Sequence, residues 1–454
     1  MVQNETLIND LTQGSIPRKL LRFTAPMMLA NTLQVCFNLV DMFFVGRFAG
    51  TDALSAVSIG GQLTTFMYIF YIGIATAGQI CIAQAVGAGR RSVMNGMIGN
   101  VLTLSALTGA ILMVVLPLMY PILRAINTPD SILTSTSNYL AISVWFNIPV
   151  AMYNGLSGIL RGMGDSRHPT IFVSIGTVVN IFLDYVFIAL FRWGVVGAAL
   201  ATVIGQTAAF GTSLIYLYRN RKAFGFDFRL ASLRPEKKYM SQLLRVGMPI
   251  TAKNAFINGS FLVINAQINH IGVIAVAVMG ICQKLQSIIN IIGMAMHDGT
   301  GSMVGQNFAA GDNARVRKSV WNATGICVVF CACLCLLFLL FPQTIFGLFT
   351  NDPEVIALAP PFMGVCCIIM IGFSLMSPVI GLINGVGNTK LNMYISIADG
   401  VAARLSLAML LGYGFDMGAI GFFLGNSLAG FVTVICGWIY FLSGKWEKQS
   451  ILSA

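Results

Sequence analysis

The sequence predicts an all-α polytopic membrane protein in which twelve transmembrane helices form two pseudo-symmetric six-helix bundles around a central cleft. Three observations predict this fold: the composition, the number of long apolar runs, and an internal repeat. Of the 454 residues, 56% are hydrophobic and only 9% are charged. Soluble domains carry about 25% charged residues, and in water this chain would expose far too much apolar surface. The composition therefore excludes a soluble enzyme and an intrinsically disordered chain.

Twelve apolar runs, separated by charged or turn-rich breaks, are long enough to cross a bilayer. A spanning helix needs about 20 apolar residues. Because the runs are continuous and do not alternate with polar residues, helices are favoured over a barrel. Pro26 and Pro249 lie near the start of each half and are expected to bend their helices. The predicted spans are 17–45, 54–83, 92–120, 131–158, 168–191, 194–218, 240–268, 273–302, 315–341, 354–382, 390–412 and 417–443.

Short landmarks of the first half return in the second half at a nearly constant offset of 221 to 223 residues. Each half holds six spans, so both halves begin on the same side of the membrane, as in parallel repeats. A cleft between two bundles and a rocking motion follow from that arrangement. We predict an N-lobe at 1–218, a basic cytoplasmic linker at 219–239 and a C-lobe at 240–454. The paired landmarks are Arg22–Pro26 with Arg245–Pro249, Gly87–Gly89 with Ala309–Gly311, Gly162–Arg167 with Gly385–Lys390, and Val196–Ala198 with Met417–Ala419.

The distribution of basic residues predicts that both termini lie in the cytoplasm. With that orientation, 21 of the 27 Lys and Arg residues fall in inner segments and three fall in outer loops. This positive-inside bias accounts for the net charge of +11 without a nucleic acid as partner. The basic linker either touches anionic lipid headgroups or serves only as a topology signal.

Acidic side chains inside the spans are the main candidates for a functional site. A carboxylate at mid-bilayer costs roughly 2.5–3.5 kcal/mol, so it is rarely present there without a partner or a role. Asp41 ends a polar face of span 1 that also carries Gln34 and Asn38. Asp184 lies in span 5, one turn after Asn180 and on the same face.

Span 6 adds the hydroxyl of Thr202 to these carboxylate and amide oxygens. Oxygen ligands suit a hard alkali cation, by extension from the rules for calcium and magnesium. Two carboxylates brought close together would also suit the exchange of a proton. The alternative is that such polar residues only join helices by hydrogen bonds.

The second half has its own charged residues within spans. Lys253 and Lys284 are candidate partners for an acid of the same half, and such a pair would neutralise both charges. The acids available are Asp298 and Asp399. A structural pair and a substrate contact are both left open, as is the role of Arg404.

Catalytic and metal-binding signatures are scarce. The three histidines form no HExxH motif, the Gly-rich turns are not a Walker A motif, and the ten cysteines show no zinc-ligand spacing. We therefore predict no enzyme and no cofactor, and we interpret the cysteines as small apolar packing residues. Methionine and phenylalanine side chains can line a pliable cavity, although most are expected to pack or to face lipid. The candidate substrate contacts are Gln34, Phe37, Asn38, Tyr68, Tyr153, Lys253, Asn258, Met279 and Gln283.

Several short motifs run through nearly the whole chain. They are Ala25–Pro26, Val40–Gly46, Gln84–Gly89, Gly158–Gly162 with Gly164–Asp165, Asn180–Asp184, Gly194–Ala199 and Val304–Asn307. With these motifs the sequence resembles the multidrug and toxic compound extrusion (MATE) family. Bacterial members have twelve helices in two lobes with a V-shaped cleft, and they export organic cations and other amphipathic drugs in exchange for protons or sodium ions. The resemblance implies a monomeric antiporter of the bacterial inner membrane that works by alternating access, with H⁺ or Na⁺ as coupling ion and with small amphipathic molecules and membrane lipids as partners.

The similarity is closest to the DinF-like branch of that family. It implies a site for H⁺ or Na⁺ made by Asp41, Asn180, Asp184 and Thr202, and a hinge at Pro26. The other main bacterial branch has an acid in span 7, where this chain has Lys253. A flippase of lipid-linked precursors from the same superfamily is the alternative function, although such proteins usually carry more spans or a more cationic cleft.

Overall fold

The computed structural model describes residues 9–450, in which every regular element is a helix. These residues divide into two compact units. The first unit is built mainly from Ala25–Thr251, and the second from Leu11–Thr24 and the chain that follows Thr251. Both divisions fall inside long helices, close to Pro26 in one and to Pro249 in the other.

Seven helices precede the linker. They are α1 Ile16–Phe48, α2 Thr51–Gly87, α3 Met94–Ala125, α4 Asp130–Trp145, α5 Asn147–Gly162, α6 Arg167–Leu190 and α7 Gly194–Arg219. At 33 and 37 residues, α1 and α2 are longer than one bilayer crossing requires. The predicted span 131–158 is two helices, because the chain breaks at Phe146. The last turns of α6, Tyr185–Leu190, are a π-helix.

Six long helices follow the linker. They are α8 Lys237–Ile271, α9 Val273–Ala309, α10 Asn313–Leu340, α11 Ala359–Gly385, α12 Thr389–Gly414 and α13 Gly418–Leu442. Two π-helical segments interrupt α12, at Ala398–Ala403 and at Leu410–Gly414. Single π turns inside α-helices often mark functional or strained positions.

Ten of the helices are long and apolar enough to cross a membrane. The two remaining predicted spans correspond to the broken pair α4 and α5, and to α8, which carries Lys253 and several amides within its length. The predicted all-α, polytopic fold is confirmed.

Each unit has its own apolar core, and α1 contributes side chains to both. In the first unit Val45 of α1 packs in one cluster with Val57, Ile188 and Ala198. In the second unit Leu20, from the beginning of α1, packs with a cluster that includes Met296 and Cys327. These clusters fix the face of α1 that carries its polar residues.

Candidate functional site

Two buried acids lie within helices of the first unit. Asp41 of α1 is 7% exposed and Asp184 of α6 is fully buried. Each lies within electrostatic range of the other, since the charge of Asp41 acts on Asp184. Asn180, 1% exposed, lies one turn before Asp184 on α6. The structure thus brings together the acids that the sequence could only place on separate helices.

These side chains lack internal hydrogen-bond partners. Within residues 9–450, fifteen buried side-chain N and O atoms have no partner. Six of them belong to the predicted site: Oδ1 of Asp41, both amide atoms of Asn180, both carboxylate oxygens of Asp184, and Oγ1 of Thr202. Buried polar atoms in folded proteins are nearly always hydrogen-bonded, and an unpaired buried carboxylate is expensive. A bound cation or its water shell would satisfy the five oxygen atoms of this set.

Close packing of α6 against α7 sets the positions of two of the four residues. A Cβ atom at Gly205 of α7 would lie 2.7 Å from the carbonyl oxygen of Gly176 and 2.8 Å from Cβ of Asn180. Because neither glycine has a side chain, the two helix backbones approach each other at this level. Thr202 lies one turn before Gly205 and therefore on the same face of α7.

Sequence reasoning missed one residue near the acids, Tyr139 of α4. Its ring is 6% exposed, and it lies within electrostatic range of both Asp41 and Asp184. Gly60 of α2 makes room for it, since a Cβ there would lie 2.5 Å from the ring. The only signal in the sequence was a phenol within an apolar run, which is common at helix contacts and does not reveal its neighbours.

The α6 helix is also anchored near the predicted hinge. The hydroxyl of Thr170 donates a 2.8 Å hydrogen bond to the carbonyl oxygen of Pro26. Two residues earlier, Nδ1 of His168 lies 2.6 Å from the buried carboxylate of Asp165, and the ring of His168 stacks on Tyr216 of α7. The start of α6 is therefore held to both α1 and α7.

The other residues of the predicted substrate-contacting set have varied environments. In the first unit Gln34 and Asn38 are exposed, whereas Phe37, Tyr68 and Tyr153 are half-buried. In the second unit Asn258 and Gln283 are exposed and Lys253 is half-buried. Met279 is 6% exposed and packs in the apolar core of the second unit, so its side chain serves packing there.

The charged residues of the second unit form two pairs that do not include a lysine. Asp399 bonds to Arg404 at 2.8 Å, and Asp298 contacts its neighbour His297 at 2.9 Å. Lys253 lies within electrostatic range of both acids, whereas Lys284 is exposed. The partner of Asp399, which the sequence left open, is thus Arg404, five residues along the same helix at its π-helical segment.

The Asp399–Arg404 pair has further polar partners, although Nε of Arg404 has none. Arg404 also donates to Oδ1 of Asn426 at 2.7 Å, and Thr433 donates to the second carboxylate oxygen of Asp399 at 2.8 Å. The guanidinium lies 4.8 Å from the ring centre of Phe261. This centre is neutral overall, in contrast to the two acids of the first unit.

Two helical units, ten helices of the described residues that are long and apolar enough to cross a membrane, and a group of unpartnered polar atoms inside the first unit are typical of a membrane transporter. The chain belongs to the MatE family, whose model matches residues 26–186 and again 249–410. The two matches begin 223 residues apart, which confirms the internal repeat. Since this is a family of transporters, the prediction that the chain is not an enzyme is confirmed.

Relatives match over nearly the whole chain. The probable multidrug resistance protein YpnP of Bacillus subtilis is 26% identical, and the alignment covers 98% of this chain and 99% of that protein. The probable multidrug resistance protein NorM of Thermotoga maritima is 26% identical, with coverage of 98% and 97%. A solved outward-facing MATE transporter of the MOP superfamily matches with a TM-score of 0.91 at 19% identity, covering 99% of this chain and 100% of that one. That likeness shows the fold.

Proposed function

We propose that this protein exports amphipathic, mainly cationic, small molecules across the bacterial plasma membrane in exchange for H⁺ or Na⁺. Relatives that span the whole chain carry the name of multidrug resistance proteins. The observation that carries the proposal is the set of six unpartnered atoms on Asp41, Asn180, Asp184 and Thr202. A transporter driven by an ion needs a site that binds the ion reversibly, and these residues supply a buried, anionic set of oxygen atoms without hydrogen-bond partners.

The proposed cycle uses alternating access. With the site open to the outside, the cation binds between Asp41 and Asp184 and removes the cost of two unpaired buried charges. Its arrival rearranges the first unit and lowers the affinity for the drug, which leaves. After the protein reorients, the cation departs into the cytoplasm and new drug binds. Linkage requires that the drug weaken cation binding by the same factor.

The energy available to this exchange depends on the net charge moved. One charge moving through 100 mV supplies roughly 2.3 kcal/mol. At about 1.4 kcal/mol per factor of ten, that sustains a drug gradient of roughly fortyfold. If a monovalent cationic drug leaves for one H⁺, no net charge moves, and only the concentration gradient of the ion contributes.

Further features of the proposal concern placement and motion. Both termini lie in the cytoplasm, the protein works as a monomer among lipids, and it belongs with the DinF-like branch because the four site residues match that pattern. Pro26 serves as the hinge of α1. Two observations support this hinge: Pro26 lies inside a 33-residue helix, and the hydroxyl of Thr170 donates a hydrogen bond to the carbonyl oxygen of Pro26.

Reconstituted transport tests the proposal. Proteoliposomes holding the wild type should accumulate or expel a fluorescent organic cation under an imposed proton or sodium gradient. Asp41→Asn and Asp184→Asn should abolish gradient-driven transport, while Asp52→Asn, an exposed acid at the start of α2, should leave it intact. Full coupled export by Asp184→Asn would overturn the site. Movement of lipid-linked sugars and of no drug would overturn the function.

A further inference from the structure

We propose that Cys331, Cys335 and Met370 form a binding site for a soft monovalent metal ion, Cu⁺, inside the second unit. Sγ of Cys331 lies 3.8 Å from Sγ of Cys335, and that atom lies 3.9 Å from Sδ of Met370. Two helices supply the three sulfurs, α10 both cysteines and α11 the methionine. This site has no residue in common with the proposed cation site of the first unit.

Helical spacing creates the sulfur-rich face. Cys327, Cys331 and Cys335 follow one another at intervals of four residues and so lie on one side of α10. Cys327 and Cys331 are buried, at 3% and 8% exposure, and Cys335 is half-buried. Cys333 of the same helix is exposed and faces away. The thiols that converge are therefore those directed into the unit.

The distances suit a metal with three sulfur ligands. A metal–sulfur bond of about 2.3 Å separates two ligands by about 3.8–4.0 Å, in tetrahedral or trigonal geometry. Both recorded edges of the triangle have that length. Cys331 and Met370 both line a small crevice of about 20 Å³ together with Cys327 and Ser374, and Cys335 lies beside it through its contacts with both. A space of that size admits an ion or one water.

The donor set selects the metal. Thiolate and thioether ligands favour Cu⁺, whereas harder divalent ions need nitrogen or oxygen ligands. Within residues 9–450 no group of three or more His, Cys, Asp or Glu side chains is placed to hold a metal, so a zinc site of the usual kind is not offered. The third ligand here is a thioether, which accepts no proton and carries no charge.

The charge of the complex favours a monovalent ion at this buried position. When Cu⁺ binds, one cysteine loses its proton to water and becomes a thiolate, while the other thiol and the thioether stay neutral. The copper stays in its +1 state, so no oxidant or reductant takes part. The complex then has no net charge, which low-dielectric surroundings require.

Binding of copper to the purified full-length protein tests this proposal. The wild type in detergent, kept anaerobic, is titrated with Cu⁺ against a chromophoric Cu⁺ chelator. Cys335→Ser is expected to weaken binding of the tightest equivalent by more than about 100-fold, and Met370→Leu by about tenfold. Cys333→Ser, on the same helix but facing out, should bind like the wild type. X-ray absorption of the complex should show a shell of sulfur atoms alone.

Three results would overturn the proposal. One is equal Cu⁺ affinity in the wild type and Cys335→Ser, which would place the copper on other thiols. Another is equal loss in Cys333→Ser. The third is a nitrogen or oxygen ligand in the absorption spectrum. Size-exclusion profiles of each variant verify folding. If Cys335→Ser fails to fold, Met370→Leu still tests the site, because leucine keeps the volume of the core. The experiment measures Cu⁺ binding and not drug transport, so a negative result would not bear on the proposed export function.

Discussion

Asp399 and Arg404 form an ion pair of 2.8 Å whose side chains are only 3% and 8% exposed. Breaking a buried pair leaves one charge without compensation, which costs about 3–5 kcal/mol. Asp399→Leu and Arg404→Leu should each lower the thermal stability of the detergent-solubilised protein strongly. The double variant should regain much of the loss, since no lone charge then stays buried.

The exposed pair Arg317–Glu447, which is 2.7 Å long, provides the control for that experiment. Its side chains are 47% and 33% exposed, and exposed pairs contribute about 0–1 kcal/mol. Arg317→Ala should therefore shift the unfolding temperature little. If Arg317→Ala and Arg404→Leu had the same effect, the buried pair would not be stabilising the second unit.

Asp184→Asn should raise the thermal stability of the protein while it abolishes coupled transport. The carboxylate is fully buried with both oxygens unpartnered, so removing its charge relieves a desolvation cost. Unfolding is measured in sodium-free buffer at alkaline pH, where no coupling cation is available. A lower unfolding temperature for Asp184→Asn would mean that the carboxylate has a stabilising partner.

The same measurement identifies the coupling ion. A ligand that binds only the folded state raises its stability in proportion to the logarithm of its concentration. Sodium chloride should stabilise the wild type more than potassium chloride does if Na⁺ is the coupling ion, and acidification alone should do so if it is H⁺. Asp184→Asn should show neither response.

Tyr139→Phe should reduce ion-coupled transport several-fold without loss of stability. The ring, which fills the space beside Gly60, is kept, and only the hydroxyl within range of Asp41 and Asp184 is removed. Proteoliposome transport checks the expected loss of ion-coupled transport, and thermal unfolding of the same preparation checks that stability is unchanged. Wild-type transport by Tyr139→Phe would assign the residue to packing alone.

Gly205→Ala should destabilise the first unit and impair transport. The new Cβ would lie 2.7 Å from a backbone oxygen of Gly176, so α6 and α7 must separate, at a cost of about 1–3 kcal/mol. Gly211→Ala on the same helix meets nothing within 4 Å and should be neutral or slightly stabilising. Comparable unfolding temperatures for the two variants would contradict the close helix approach.

The sequence predicted the helices well because a bilayer leaves few alternatives for a long apolar run. It also singled out Asp41 and Asp184, because a carboxylate in a span is too expensive to be incidental. Their proximity needed the three-dimensional packing of α1 and α6. Tyr139 could not be found, since nothing in its neighbourhood along the chain distinguishes it from a packing residue.

Two features show where pattern reasoning was insufficient. The sequence left the partner of Asp399 open, because an ordinary α-helix brings together residues three or four apart, whereas Asp399 and Arg404 are five apart. The π-helical segment at Ala398–Ala403 changes that spacing, and the sequence has no clear signal for it. For Met279, an apolar residue on an apolar helix, the sequence did not determine which side the residue faces.

The division of α1 between the two units bears on how the polypeptide could be divided. The first turns of α1, Ile16–Thr24, belong to the second unit, and Leu20 packs in the apolar core of that unit. If the chain were expressed as two fragments separated within the linker, the N-terminal fragment would carry these turns. The C-terminal fragment would lack them, and the apolar surface that Leu20 covers would be exposed.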